Sequence, residues 1–178
     1  MRERLRPIPL LSTLAELEQW YLRCARARFQ LLRDEALPSR PPLEEPADRL
    51  HILVVDRAPA CMELVCGLLE WMGHACQTVA PADAPACVHD VDVDLVLLDV
   101  GYPETCGFEV ARRIRAAARS QPYLVAVSGW SHSEHRRRAL DAGFDAHVLK
   151  PLTLAVLERL VAVPRRSDLG APELAIVR

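Results

Sequence analysis

Between His51 and Val163 the chain alternates five short apolar runs with five amphipathic segments, and this alternation limits the possible folds more than any other feature. The runs are HILVVD (51–56), CQTVA (76–80), DLVLLDV (94–100), YLVAVS (123–128) and AHVLK (146–150). They read as continuous apolar stretches, the pattern of strands buried on both faces, as in a parallel sheet covered by helices on each side. The segments between and after them carry helical spacing: CMELVCGLLEWMG (61–73), FEVARRIRAAAR (108–119), SEHRRRALDAG (133–143) and LTLAVLERLVAV (152–163). PADAPACVHD is the weakest, because Pro81 and Pro85 interrupt it. Pro59 falls just inside a helix start, where a missing N–H costs least, and Gly73 and Gly143 fall where helices stop. Strand–helix alternation of this kind predicts an α/β domain with a doubly wound parallel sheet.

The flanks differ in composition. In residues 1–36, Leu10, Leu14, Leu17, Tyr21, Cys24 and Leu31 recur at steps of three and four, with Arg28 in the one missing place. That spacing predicts an amphipathic helix whose stripe serves packing or a homodimer. Pro38, Pro41, Pro42 and Pro46 make residues 37–50 a stiff, extended linker. Residues 51–163 form the main domain, and 164–178, without a clear period, are expected to be a flexible tail.

Charge and cysteine usage exclude several classes. The 22 basic and 24 acidic side chains leave a net charge of −2, which lacks the basic footprint of a nucleic-acid binder. Nine arginines against eight acids in residues 1–50 lend little support to a DNA-contacting helix. No apolar run nears the roughly 18 residues of a membrane span, and no secretory signal is read, so a cytoplasmic protein is expected. Six cysteines without a CxxC pair fit neither a disulfide framework nor a zinc ribbon, and they read as small, reduced, apolar residues. His74-x-Cys76 and Cys87-x-His89 match no structural zinc spacing.

In an open parallel sheet, ligands bind beyond the carboxyl ends of the strands. Those ends carry Asp56-Arg57, Asp99, Ser128-Gly129 and Lys150-Pro151. Two carboxylates can hold a hard cation such as magnesium. A carboxylate can also act as nucleophile toward phosphorus, with a hydroxyl and an ammonium binding the phosphoryl oxygens. Lys150 is the single lysine in a chain that otherwise writes arginine.

The pieces HILVVD, LVLLDVGYPETCGFEVARRIR, LVAVSG and RRRALDAGFDAHVLKP resemble the receiver domain of bacterial two-component response regulators, closest in style to receivers of hybrid sensor kinases. The resemblance implies a flavodoxin-like, five-stranded sheet of order 2-1-3-4-5. It implies that Asp99 is the phosphoacceptor, that Ser128 and Lys150 contact the phosphoryl group, and that the Lys150–Pro151 peptide is cis. Magnesium would be held by Asp56, Asp99 and Gly101, and Ser128 and His147 occupy the switch positions. The chain also departs from the family. Arg57 stands where the family has a second acid, His147 where it has an aromatic or aliphatic residue, and Cys106 where an Asp is common. A cation at Arg57 should lower magnesium affinity.

These readings converge on a stand-alone receiver of a phosphorelay, not itself an enzyme. A partner histidine kinase or phosphotransfer protein would phosphorylate Asp99. Output would be a changed contact with a downstream protein at the face of helix four, strand five and helix five. No histidine precedes His51 and no glycine-rich nucleotide loop is found, so the chain is not expected to make its own phosphohistidine. About fifteen residues follow the domain, too few for a helix-turn-helix output module. The alternative is a degenerate receiver that binds protein without being phosphorylated.

Overall fold

Each expected strand forms. The computed structural model describes residues 49–57, 59–101, 105–129, 133–162 and 175–177; the expected N-terminal helix (1–36) and residues 37–48 of the linker lie outside them. The strands are β1 (His51–Val55), β2 (Ala75–Val79), β3 (Leu95–Asp99), β4 (Tyr123–Ser128) and β5 (Ala146–Leu149). The helices are α1 (Pro59–Trp71), α2 (Ala84–Asp90), α3 (Thr105–Ala117), α4 (Ser133–Asp141) and α5 (Leu154–Val161). Gly73 and Gly143, at φ +101° and +92°, follow α1 and α4 in the left-handed conformation that glycine adopts without steric cost. α5 begins at Thr153, whose hydroxyl accepts a hydrogen bond from the Val156 N–H. α2 forms despite its prolines, because Pro85 occupies the first turn, where no N–H partner is lost.

All strands pair in parallel, in the order β2-β1-β3-β4-β5-β6. The order expected for the first five is the order found. The sixth, β6 (Ala175–Val177), is not expected within the flexible tail read for 164–178; the rest of that tail lies outside the described residues. It pairs with β5 as Ala146↔Ala175, His147↔Ile176 and Val148↔Val177. The outer edge of β5 is therefore covered.

Both faces of the sheet are buried. Leu53, Val55, Val96, Leu98, Leu124 and Ala126 join a core with Ala84 and Val88 of α2, Phe108, Ala111 and Ile114 of α3, and Ala139 of α4. Phe108 and Phe144 meet edge to face, 6.3 Å apart, with the Arg138 guanidinium 5.0 Å from the centre of the Phe108 ring. The alternate strand residues Ile52, Val54, Leu95, Leu97, Val125 and Val127 are buried on the opposite face. Each such Leu, Ile or Val contributes roughly 1.5–3 kcal/mol by leaving water.

The amino-terminal end of the sheet is closed by polar contacts. From α3, Arg115 sends Nε to the Gly143 carbonyl (2.8 Å), one Nη to the Pro122 carbonyl (2.7 Å) and the other to Asp145 (2.5 Å). The same Asp145 oxygen accepts the Leu124 N–H at 2.8 Å. The planar guanidinium thus ties three chain segments at once. Nearby, the Asp94 carboxylate accepts from the His51 N–H.

A second correction concerns sulfur. Cys66 of α1 and Cys76 of β2, read from sequence as reduced, form a disulfide with Cα atoms 5.5 Å apart.

Both ties should register in unfolding. Asp145→Ala leaves the enclosed Arg115 guanidinium without its carboxylate and should cost about 3 kcal/mol or more in urea unfolding. Cys76→Ser should lower stability by about 3 kcal/mol, the chain-entropy value for a loop of this length. Equal unfolding midpoints with and without reductant in the wild type would contradict the second expectation.

Candidate functional site

Parallel register brings the strand ends level. Val55 lies opposite Leu98 and Asp99 opposite Val127, so Asp56, Asp99 and Ser128 emerge within one residue of each other. Ser128 in turn lies opposite Leu149, and Lys150 comes next. The Lys150 N–H donates to the Ser128 carbonyl at 2.8 Å, extending the ladder by one residue. The Lys150–Pro151 peptide is cis, as the resemblance implied.

Lys150 Nζ sits 2.9 Å from Asp99 Oδ1 and 3.6 Å from Asp56 Oδ2. The two carboxylates keep only 16% and 11% of their side-chain surface exposed, and the lysine 26%. Like charges this close repel, and in a poorly solvated pocket the repulsion is stronger than in water. The shared ammonium offsets it. Ser128 is buried at 3% exposure on the sheet face that also carries Ala126 and, across the ladder, His147. Ser128 and His147 are thus near neighbours on adjacent strands, and His147 is 5% exposed between β4 and β6.

Arg57 is next to Asp56 in sequence but is exposed, and the ion pairs described for the two acids run through Lys150. Two glycines lie close to Asp99. A Cβ on Gly101 would stand 3.0 Å from Asp99 Oδ2, so its absence leaves the carboxylate room and keeps the backbone close to it. A Cβ on Gly107 would meet Val100 Cα at 3.1 Å and the Asp99 carbonyl at 3.2 Å, so this glycine lets α3 approach the end of β3.

The oxygen donors fit a hard cation, since Asp56 and Asp99 converge and the Gly101 backbone lies against Asp99. The set is lean. Among the described residues no three His, Cys, Asp or Glu side chains group together as a metal cluster. The cysteine–histidine pairs singled out in the sequence are otherwise engaged. Cys76 is in the disulfide, His74 Nδ1 accepts the Leu50 N–H, and His89 contacts Asp90 at 3.0 Å. Burial, with Asp83 and Asp90 nearby, pushes the Cys87 thiol up, away from the thiolate form.

The family model of the response regulator receiver domain matches residues 52–162. The chain is 33% identical over 129 residues to the sensor histidine kinase RcsC of Salmonella typhimurium, covering 72% of this chain and 14% of that protein. The chain therefore spans about a seventh of the length of that relative. A receiver domain from Methylobacillus flagellatus superposes with a TM-score of 0.55 at 27% identity, covering 64% of this chain and 96% of the other. The receiver domain of sensor histidine kinase PA1611 from Pseudomonas aeruginosa, solved with a magnesium ion coordinated in its active-site cleft, gives 0.55 at 26%, covering 64% and 94%. No described helix is long and apolar enough to cross a membrane.

Lys150→Met should lower stability by about 1–2 kcal/mol, since the carboxylates lose a charge-assisted partner in a partly solvated place. The deficit should shrink in high salt, which screens the remaining repulsion. A deficit unchanged by salt in chemical unfolding would place the cost in packing instead.

Proposed function

Because the chain belongs to the receiver-domain family of response regulators, we propose that it works as a stand-alone receiver that takes a phosphoryl group on Asp99 and signals by changed protein contacts. The observation that carries this reading is the convergence of two carboxylates on the single lysine at one sheet end, with Ser128 alongside. The phosphodonor would be a histidine kinase or a phosphotransfer protein. An Asp99 carboxylate oxygen forms the new O–P bond while the donor's imidazole N–P bond breaks and the nitrogen keeps the electron pair. Lys150, already 2.9 Å from Asp99, is placed to follow the incoming charge by binding a phosphoryl oxygen. The Ser128 hydroxyl can bind another. That movement draws the ammonium partly away from Asp56 and links the reaction to the β4 and β5 ends.

Magnesium would be held by Asp56, Asp99 and the Gly101 carbonyl, and when bound it supplies charge neutralisation at the phosphoryl oxygens. Arg57 limits this site. It supplies no carboxylate where the family resemblance implies a second acid, and it is exposed. Screening of the acids falls mainly to Lys150. The same substitution favours the second reading, a receiver that binds protein without being phosphorylated.

Incubation with acetyl phosphate and magnesium, with intact mass as the readout, should show one added phosphoryl group, absent in Asp99→Asn. No adduct with either a small donor or a cognate kinase would favour the binding-module reading. Arg57→Asp should bind magnesium at least tenfold more tightly by titration calorimetry and accept phosphate faster. Equal affinity in both proteins would show that Arg57 does not bear on the metal.

A further inference from the structure

We propose that the Cys66–Cys76 disulfide is a reversible redox site, opened and re-formed by small thiols of the glutathione class, and that its state sets how firmly Leu50 is held where the chain enters the sheet. The proposal stands whether or not Asp99 takes phosphate.

The bond joins residues ten apart and closes a loop of the second half of α1, the turn at Gly73 and the start of β2. Both polar backbone groups of Leu50, the residue before β1, are bound by this loop. The Leu50 N–H donates to His74 Nδ1 at 3.3 Å, and the Leu50 carbonyl accepts the Ala75 N–H at 2.8 Å. His74 is 7% exposed, and its own N–H donates to the Leu69 carbonyl at 3.1 Å. His74 and Ala75 directly precede Cys76, so the tie from Cys76 to the middle of α1 fixes the segment that grips Leu50. β2 is otherwise weakly held. It pairs with β1 alone, and Gln77 and Thr78 are exposed. A strand paired on one side opens at lower free-energy cost than one in the middle of the sheet, so a covalent tie adds most there.

Two features suit the bond to reversal. The fold has little need of it. The domain of residues 52–162 is well above the roughly 40 residues below which disulfides or metals are usually needed. The core on the side of α2, α3 and α4 contains neither cysteine, and a reduced cysteine packs as a small apolar residue. Where thiols abound, a bond of this kind is transient and redox-responsive and does not serve as a permanent staple. Access is also one-sided. Cys66 is 8% exposed, whereas Cys76 lies partly exposed on the edge strand. A small thiolate therefore attacks Cys76 Sγ and forms a mixed disulfide there. The Cys66–Cys76 bond breaks, and Cys66 leaves with the electron pair and takes up a proton, since burial favours the neutral thiol. A second thiolate attacks the small-molecule sulfur of the mixed disulfide and releases Cys76, which is protonated in turn. Two small thiols are oxidised to their disulfide, and the protein gains two thiols. The oxidised small disulfide drives the reverse.

The test uses the full chain, compared before and after treatment with reduced glutathione. Alkylation in denaturant with peptide mass mapping should label Cys66 and Cys76 only after reduction, and limiting glutathione should leave its adduct on Cys76. Hydrogen exchange at Leu50 and residues 75–79 should be about tenfold faster in the reduced protein, with β3 and β4 unchanged, and should slow again with oxidised glutathione. The double variant Cys66→Ala/Cys76→Ala should exchange at the faster rate with or without glutathione, its β3 protection showing that it is folded. His74→Leu should speed exchange at Leu50 in both redox states while β2 still responds to reduction. Equal exchange in the oxidised and reduced wild type would overturn the proposal. So would a bond that glutathione leaves intact, an adduct on Cys66, a response that persists in the double variant, or Leu50 exchange unaffected by His74→Leu.

Discussion

Parallel pairing is the constraint on which the site depends. When every strand runs the same way, the residues just past the strands collect at one end of the sheet, and none of them needs a loop to bring it there. Asp56, Asp99, Ser128 and Lys150 meet because the ladder registers of β1, β3, β4 and β5 place them within two residues of one level. Lys150 then carries a double duty. Its backbone extends the β4–β5 ladder, and its ammonium lets two carboxylates share a poorly hydrated space. The opposite end does the mechanical work. There Arg115 and Asp145 hold α3, the entry to β4 and the turn before β5 in place, so the functional end is carried on a fixed frame.

Much of this is legible in the residues. β1, β3 and β4 are written as continuous apolar runs because both of their faces are covered, and runs this short, bounded by turn residues, suit buried strands better than helices. Strand ends are easy to find once strands are found, and the residue at each end is adjacent to its strand in sequence. Asp99 and Lys150 therefore stand out without knowledge of any contact between them. Glycines at the ends of α1 and α4 are readable because a left-handed residue after a helix favours glycine.

The features that escape a reading of the sequence depend on contacts between distant segments. Arg115 and Asp145 lie thirty residues apart, and nothing local in either pairs it with the other. Cys66 and Cys76 are close in sequence, but their bond depends on how α1 lies against β2, which periodicity does not specify. β6 is only three residues long, below the length at which a strand pattern can be told from a loop. Arg57 is legible as a departure, but its exposed side chain is not, since one residue after a strand can turn toward the pocket or toward water.

The two outer strands of the sheet differ in how they are held. β2 is bound covalently to α1, and it presents Gln77 and Thr78 to solvent. At the far side the sheet ends in a three-residue strand with no covalent tie among the described residues. Open-ended growth of stacked sheets requires that each molecule both offer an edge and accept one, so that addition repeats indefinitely. A molecule receptive on one side only ends its assembly at a pair.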